Sequence, residues 1–222
     1  MMSTLFVLSE QPSIAHHFLA DVRSLEKQRD RRLFWESMER LGYLLAYELS
    51  KQLRYEWVTV TTPLGTKQHY CLSSPLVLGV ILRAAIPLYE GVRRMFPEAD
   101  TAFVGEYRKE GSEKKGAAGV EIEQFYAATP SLSGRTLILI DPMLATGKSI
   151  VTAYRALTDK GGTPQALHII SVIAARQGVE YVQKHLPGVH CWTADLDPAL
   201  NDKAYIVPGL GDAGDLAFGE KL

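Results

Sequence analysis

The residues at 137–151, LILIDPMLATGKSIV, are the densest chemistry in the chain. An apolar run ends at Asp141, a short loop through Pro142, Met143, Leu144 and Ala145 follows, and Thr146, Gly147, Lys148 and Ser149 open a helix-like pattern. The tail looks like the end of a nucleoside-triphosphate P-loop. That motif needs a glycine where Pro142 stands, to turn the backbone around the phosphates. Proline has a fixed φ and no N–H to offer an anion, so the P-loop reading fails.

What remains suits a simpler anion. A turn over residues 145–149 can aim successive main-chain N–H groups inward, and the N-terminus of the next helix adds partial positive charge. Thr146 and Ser149 supply hydroxyl donors, while Lys148 either adds a charge or points into solvent. Asp141 would repel a phosphate, yet a carboxylate just ahead of such a nest can accept hydrogen bonds from sugar hydroxyls. The stretch therefore reads as a site for a ribose 5-phosphate group, the bland alternative being a capped helix after a buried strand. A second candidate closes the chain. Residues 201–219 carry glycine at 209, 211, 214 and 219 between apolar residues, which suggests a binding loop.

The elements that must carry these loops are readable from periodicity. Phe34, Met38, Leu41, Leu45 and Leu49 form one stripe and predict a helix over about 30–53. Residues 57–72 alternate like a hairpin turning at Pro63, Leu64 and Gly65. Short apolar runs at 76–82, 101–107, 136–140, 166–175 and 189–195 lack alternation, as strands buried on both faces do. Helical patterns at about 87–95, 148–160 and 176–185 separate them. Alternating β and α segments predict an α/β fold, a parallel sheet flanked by helices. The long polar stretch 108–124 suits a flap or extended hairpin. No repeat or linker interrupts the chain, so a single domain over 1–222 is expected, with the long N-terminal helix (extension about 1–55) and the hairpin outside the β/α core and available as an interface.

Composition narrows the function. With 24 basic and 25 acidic residues among 222, the net charge is −1, unlike the basic face of an electrostatic nucleic-acid binder. No apolar stretch is long enough for a membrane span, and the N-terminus has no signal-peptide pattern, so a soluble cytoplasmic protein is expected. Cys71 and Cys191 lack metal spacing and read as buried free thiols. His16, His17, His69, His168, His185 and His190 share no ligand spacing, and no metal site is expected from side chains.

Residues 137–149 resemble the ribose-phosphate loop of type I phosphoribosyltransferases, in the Asp-Pro variant of the uracil phosphoribosyltransferases, here Asp141 and Pro142. The segment NDKAYIVPGLGDAGDLAFG at 201–219 is similar to the uracil-binding loop of that family. Residues 80–92 and 105–110 resemble its pyrophosphate-side loops, and 40–51 its N-terminal helix. The resemblance covers about 29–219.

It implies the type I phosphoribosyltransferase fold and transfer of a phosphoribosyl group from 5-phosphoribosyl 1-diphosphate (PRPP) to uracil, giving UMP and pyrophosphate. It also implies Mg2+ carried on PRPP. PRPP would be held by Arg83, Arg108, residues 141–149 and Asp212, and uracil by Tyr205, Ile206, Gly211, Asp212 and Ala213, with the C-terminal base loop spanning about 196–222. Asp212 and Arg83 are the catalytic candidates. Arginine forks suit a departing diphosphate, and glycine lets main chain approach a flat base. Members are commonly homodimers or homotetramers, and some respond to GTP.

Four departures stand in the motifs, one being the closing FGEKL where Phe-Gly-Thr is usual. Lys148 and Ala85 replace glycines of the PRPP loops, and Ala204 replaces a glycine before Tyr205. Lys148 and Ala85 keep open a regulatory protein of the same fold with little turnover. A phosphoribosyltransferase for another base is a further rival, against which the glycine-rich C-terminal segment argues.

Overall fold

The computed structural model describes residues 3–107 and 124–220. Along the chain come β1 (Thr4–Val7), α1 (Ala15–Arg23), α2 (Arg31–Ser50), β2 (Tyr55–Thr62), β3 (Gly65–Leu72), β4 (Leu76–Ile81), α3 (Ile86–Met95), β5 (Asp100–Tyr107), β6 (Gln124–Ala128) and β7 (Thr136–Ile140). Then follow β8 (Met143–Leu144), α4 (Lys148–Gly161), β9 (Ala166–Ala175), α5 (Arg176–His185), β10 (His190–Asp197), β11 (Ala199–Leu200), β12 (Ile206–Val207) and α6 (Ala213–Phe218).

The main sheet has the order β1-β10-β9-β7-β4-β5-β6, with β8 beside β9. Its pairings are parallel except that of β5 with β6. Every residue of β7 and all but the first of β9 are buried, which is why these runs show no polar alternation. Successive side chains serve opposite faces. Leu78, Val80, Ile138, Ile140 and Ile170 pack with residues of α1, α2 and α3, whereas Val77, Leu137, Leu139 and Ile169 pack with α4 and α5. The result is an α/β/α arrangement.

Helix α2 starts at Asp30, whose Oδ1 accepts the N–H of Leu33 at 3.1 Å, a cap that stabilises by about 1 kcal/mol. Its stripe from Phe34 to Leu49 is buried against the sheet and against α3. The expectation that this helix lies outside the core is therefore wrong. A stripe of large apolar residues needs a layer to cover, and here it covers one face of the sheet.

Hairpin β2–β3 does stand apart as its own two-stranded sheet, with every residue of both strands exposed. Cys71 lies on β3 and is exposed, a second correction, because no layer of the described residues backs the hairpin. Cys191 is buried in β10, and burial pushes its thiol up to about 12. Helix α1 and strand β1 were not anticipated. The stretch 108–123, with Arg108 and the anticipated flap, lies outside the described residues.

At β4 the strand order reverses, β5 lying on one side and β7 on the other. The loops leaving the carboxyl ends of β4 and β7 thus flank the crevice where open α/β sheets bind ligands. The crossing of α2 and α3 sets the first of these loops, because α3 follows it directly. A Cβ on Gly91 would collide with the Glu39 carbonyl oxygen, and one on Gly42 with that of Leu88. We expect Gly91→Ala to destabilise the protein by roughly 1–3 kcal/mol, the cost of overpacking a rigid contact. Urea unfolding would read this as a lower midpoint with an unchanged slope.

Candidate active site

The loop after β7 is fastened from below. The N–H of Asp141 donates to the Ile170 carbonyl at 3.1 Å, and the carbonyl of Pro142 accepts the N–H groups of Val172 and Ile173 at 3.0 Å each. Proline costs nothing here, since only its carbonyl is used. The chain then turns through Gly147, at φ 77°, into α4. A Cβ on Gly178 would collide with the Ala145 carbonyl, so this turn and α5 pack backbone to backbone.

A cavity of about 50 Å³ lies inside the turn, lined by Asp141, residues 143–147, Ser149 and Ile150. It has the scale of a small anion. The side chain of Lys148 is exposed and not part of the lining, and its main-chain N–H donates to Thr146 Oγ1 at 3.3 Å. Asp141 Oδ1 accepts the N–H of Met143 at 3.3 Å.

Beside it, a cavity of about 280 Å³ is lined by Ala84, Asp141, Met143, Ala145, residues 203–206 and residues 211–214. The loop after β4, the loop after β7 and the C-terminal segment therefore meet over one space. Tyr205, Ile206, Gly211, Asp212 and Ala213, all anticipated, line it together. Ala204 and Gly214, already noted in the sequence, line it too, and so do Lys203 and Ala84, which were not singled out. Asp212 Oδ1 also caps α6 by accepting the N–H of Asp215 at 3.0 Å.

Arg83 follows a cis peptide after Leu82 and does not line the larger cavity. Its Nη2 donates to Asp215 Oδ1 at 3.2 Å and to the Gly219 carbonyl at 3.0 Å, and its guanidinium lies 5.6 Å from the centre of the Phe218 ring. Its Nε is buried without a hydrogen-bond partner among the described residues. Trp35 of α2 secures the same helix, donating Nε1–H to the Ala217 carbonyl at 2.9 Å.

Behind the C-terminal segment lies a charged cluster that the sequence reading missed. Arg23 donates Nη1–H to Asp197 Oδ2 at 2.9 Å and to the Gly209 carbonyl at 2.8 Å. Its Nη2 donates to Asp195 Oδ2 at 2.7 Å and to Asp197 Oδ1 at 2.8 Å. Burial alone would lower the guanidinium pKa, but the two carboxylates raise it on balance. Burial likewise would raise Asp195, and hydrogen bonds from Ser9 and Arg23 bring it below the usual carboxylate range. Two signals were available: Ala15, Leu19 and Val22 share a helical face, and Asp195 and Asp197 share a strand face.

Two of the histidines pack together in the main sheet. His168 stacks on His190 at 5.0 Å and accepts the indole N–H of Trp192 at 3.1 Å, and burial, helped by His190, lowers it to about 4. It is a neutral ring at physiological pH.

Comparison with known proteins fits this geometry. Residues 8–220 match the family model of uracil phosphoribosyltransferase. A Porphyromonas gingivalis uracil phosphoribosyltransferase is 42% identical over 216 residues, covering 97% of this chain and 98% of its own. One from Sulfurisphaera tokodaii is 37% identical over 221 residues, covering 97% of this chain and 99% of its own. Among solved structures, an Aquifex aeolicus protein superposes with a TM-score of 0.82 at 28% identity, covering 97% of this chain and 98% of that one. The adenine phosphoribosyltransferase of Trypanosoma brucei, at TM-score 0.55 and 13% identity over 94% of this chain and 88% of its own, shares the fold.

The glycine replacements differ in consequence. Ala85 sits at φ −73° and ψ −15°, an ordinary helical conformation that any residue adopts, so it adds no backbone strain. Ala204 sits at φ 61° in the left-handed region, which costs a residue with a Cβ roughly 1–3 kcal/mol. We expect Ala204→Gly to raise stability by about 1 kcal/mol, the larger flexibility of the unfolded glycine offsetting part of the relief. Thermal unfolding in the absence of ligand would show a higher Tm.

Proposed function

The chain belongs to the uracil phosphoribosyltransferase family, and we propose how its own residues perform that family's reaction. The activity is pyrimidine salvage: uracil and PRPP give UMP and pyrophosphate. The bond from ribose C1 to the diphosphate oxygen breaks, a bond from C1 to N1 of uracil forms, and the N1 proton is released.

The single observation that carries the assignment is the shared wall of the two cavities. Asp141, Met143 and Ala145 line both, so an anion in the small space and a ring in the larger one would flank a common sugar position. In this reading the 5-phosphate rests against residues 143–147 and Ser149, with the Lys148 side chain left outside. The ribose hydroxyls donate to Asp141. Uracil lies among Tyr205, Ile206, Gly211, Asp212 and Ala213, where main-chain donors and acceptors match its imide edge. Such a site rejects cytosine because mismatched polar groups would be buried unpaired. The volume sits near the lower end of small-molecule pockets, about 300 Å³, as a small ring requires.

Charge must be managed at the leaving group. Arg83 holds Asp215 and Gly219 with one terminal nitrogen, and its buried Nε is the kind of unsatisfied donor that an arriving anion completes. Arg108 is proposed as a second diphosphate ligand. Among the described residues no group of three or more His, Cys, Asp or Glu is assembled to hold a metal. Mg2+ carried on PRPP, with Asp212 as its protein contact, fits a cation that prefers water and phosphate oxygens; it would supply neutralising charge to the diphosphate. The oxocarbenium-like ribose then relies on positioning and nearby carboxylates rather than on a nucleophilic side chain.

The hairpin points to a homo-oligomer. Trp57 stacks on Tyr70 at 3.8 Å with Tyr55 and Leu72 exposed on the same face of the hairpin, and Val58 and Val60 are exposed on its other face. A two-stranded ribbon is marginal by itself, and an apolar patch of this kind marks an interface, here with a second copy of this chain as a dimer or the half of a tetramer. No helix among the described residues is long and apolar enough to cross a membrane, and we place the enzyme in the cytoplasm as one catalytic domain.

Purified protein with PRPP, Mg2+ and labelled uracil should form UMP, and cytosine, hypoxanthine or orotate should give none. PRPP binding without product would favour the regulatory rival. Adding GTP at sub-saturating PRPP tests it as an effector. Asp141→Asn should weaken PRPP binding on the order of tenfold, consistent with one charged hydrogen-bond acceptor. Gly211→Val should chiefly abolish uracil binding. Unchanged turnover in both variants would refute the site. Trp57→Ser with Tyr70→Ser should lower the mass measured by light scattering; an unaltered mass would remove the hairpin from the interface.

A further inference from the structure

Given that uracil is read by the C-terminal main chain, as proposed above, something must hold that main chain still. We infer that Arg23 is a positioning residue for base recognition, acting through Asp197 to fix the chain at Gly209 and Leu210 so that residues 211–213 face the cavity in one orientation.

Both polar groups of Gly209 are tied to this cluster. Its carbonyl accepts Arg23 Nη1–H at 2.8 Å, and its N–H donates to Asp197 Oδ2 at 2.8 Å. The same Asp197 carboxylate is gripped by both terminal nitrogens of Arg23. One residue further, the carbonyl of Leu210 accepts Gln28 Nε2–H at 3.4 Å, and Gln28 itself is buried. Three successive peptide units, from Pro208 to Gly211, are therefore clamped by side chains of α1, of the turn after it and of the end of β10. Gly211, which lines the cavity, comes next along the chain.

None of Arg23, Gln28, Asp195 or Asp197 lines the cavity, so each can affect the base only through the loop. The nitrogens must meet two carboxylates and a carbonyl at once. A planar guanidinium fork satisfies that geometry, and a lysine ammonium on a flexible stem does not. The loop after β7 is held separately, by β9 and α5. Disturbing Arg23 should therefore affect PRPP far less than uracil, Asp212 being the one proposed PRPP contact on the clamped segment.

Steady-state kinetics on the full chain, with PRPP affinity measured by calorimetry, test this. Arg23→Lys should raise KM for uracil about tenfold or more, leave kcat at saturating uracil within about threefold, and leave the Kd for PRPP within about twofold, the pattern of misplaced binding groups. Gln28→Met, which keeps the charges intact, should shift KM for uracil in the same direction by a smaller factor and guards against misfolding of the lysine variant. An unaltered KM for uracil in both variants overturns the inference, as does a proportional loss of PRPP and uracil binding, which a merely structural ion pair would cause. Absence of UMP formation by the unaltered chain would instead refute the function on which it rests.

Discussion

Strands leave β4 in opposite directions, and the gap this opens at their carboxyl ends lets loops distant in sequence meet over one floor. Everything else serves that gap. Both faces of the sheet must be covered for the reversal to persist, which is why α2 lies deep in the core and crosses α3 at a glycine pair. Helix α3 in turn follows the loop that carries Arg83, and α5 backs the turn around the small cavity. The packing of the helices and the placing of the ligand groups are one problem solved once.

In the proposed reading the site works largely through main chain. Residues 143–147 enclose the small cavity, and residues 203–206 and 211–214 bound the larger one beside them. Main-chain groups are uniform from residue to residue, so their discrimination comes from where they are held. That shifts the burden to groups outside the cavity: the Pro142 carbonyl bonded to β9, Trp35 on α6, and Arg23 with its two carboxylates.

This division explains what the amino-acid string revealed. The β/α alternation was legible because burial on both faces erases polar residues from β7 and β9, and the bounds of α5 and β9 follow the apolar patterns residue for residue. The Asp141 loop and the glycine-rich C-terminal segment were legible because glycine, proline and aspartate act locally. The Arg23 cluster was not, since its bonds span separations of 172 to 186 residues: the faces of α1 and β10 could each be read alone, but nothing local joins them. Cys71 misled for a related reason. Its strand has the composition of a buried one, and only the missing layer behind the hairpin exposes it. The misjudged helix α2 had the right stripe, but periodicity names a face and not what that face meets.

The clamp on Gly209 also has a meaning for synthesis. Arg23 leaves the ribosome 186 residues ahead of the carbonyl it will hold. During translation its guanidinium has neither Asp195 nor Asp197 to meet, although α1 already has α2 to pack against. The clamp therefore cannot close until β10 and Gly209 have been made, whereas the turn after β7 needs only β9 and α5.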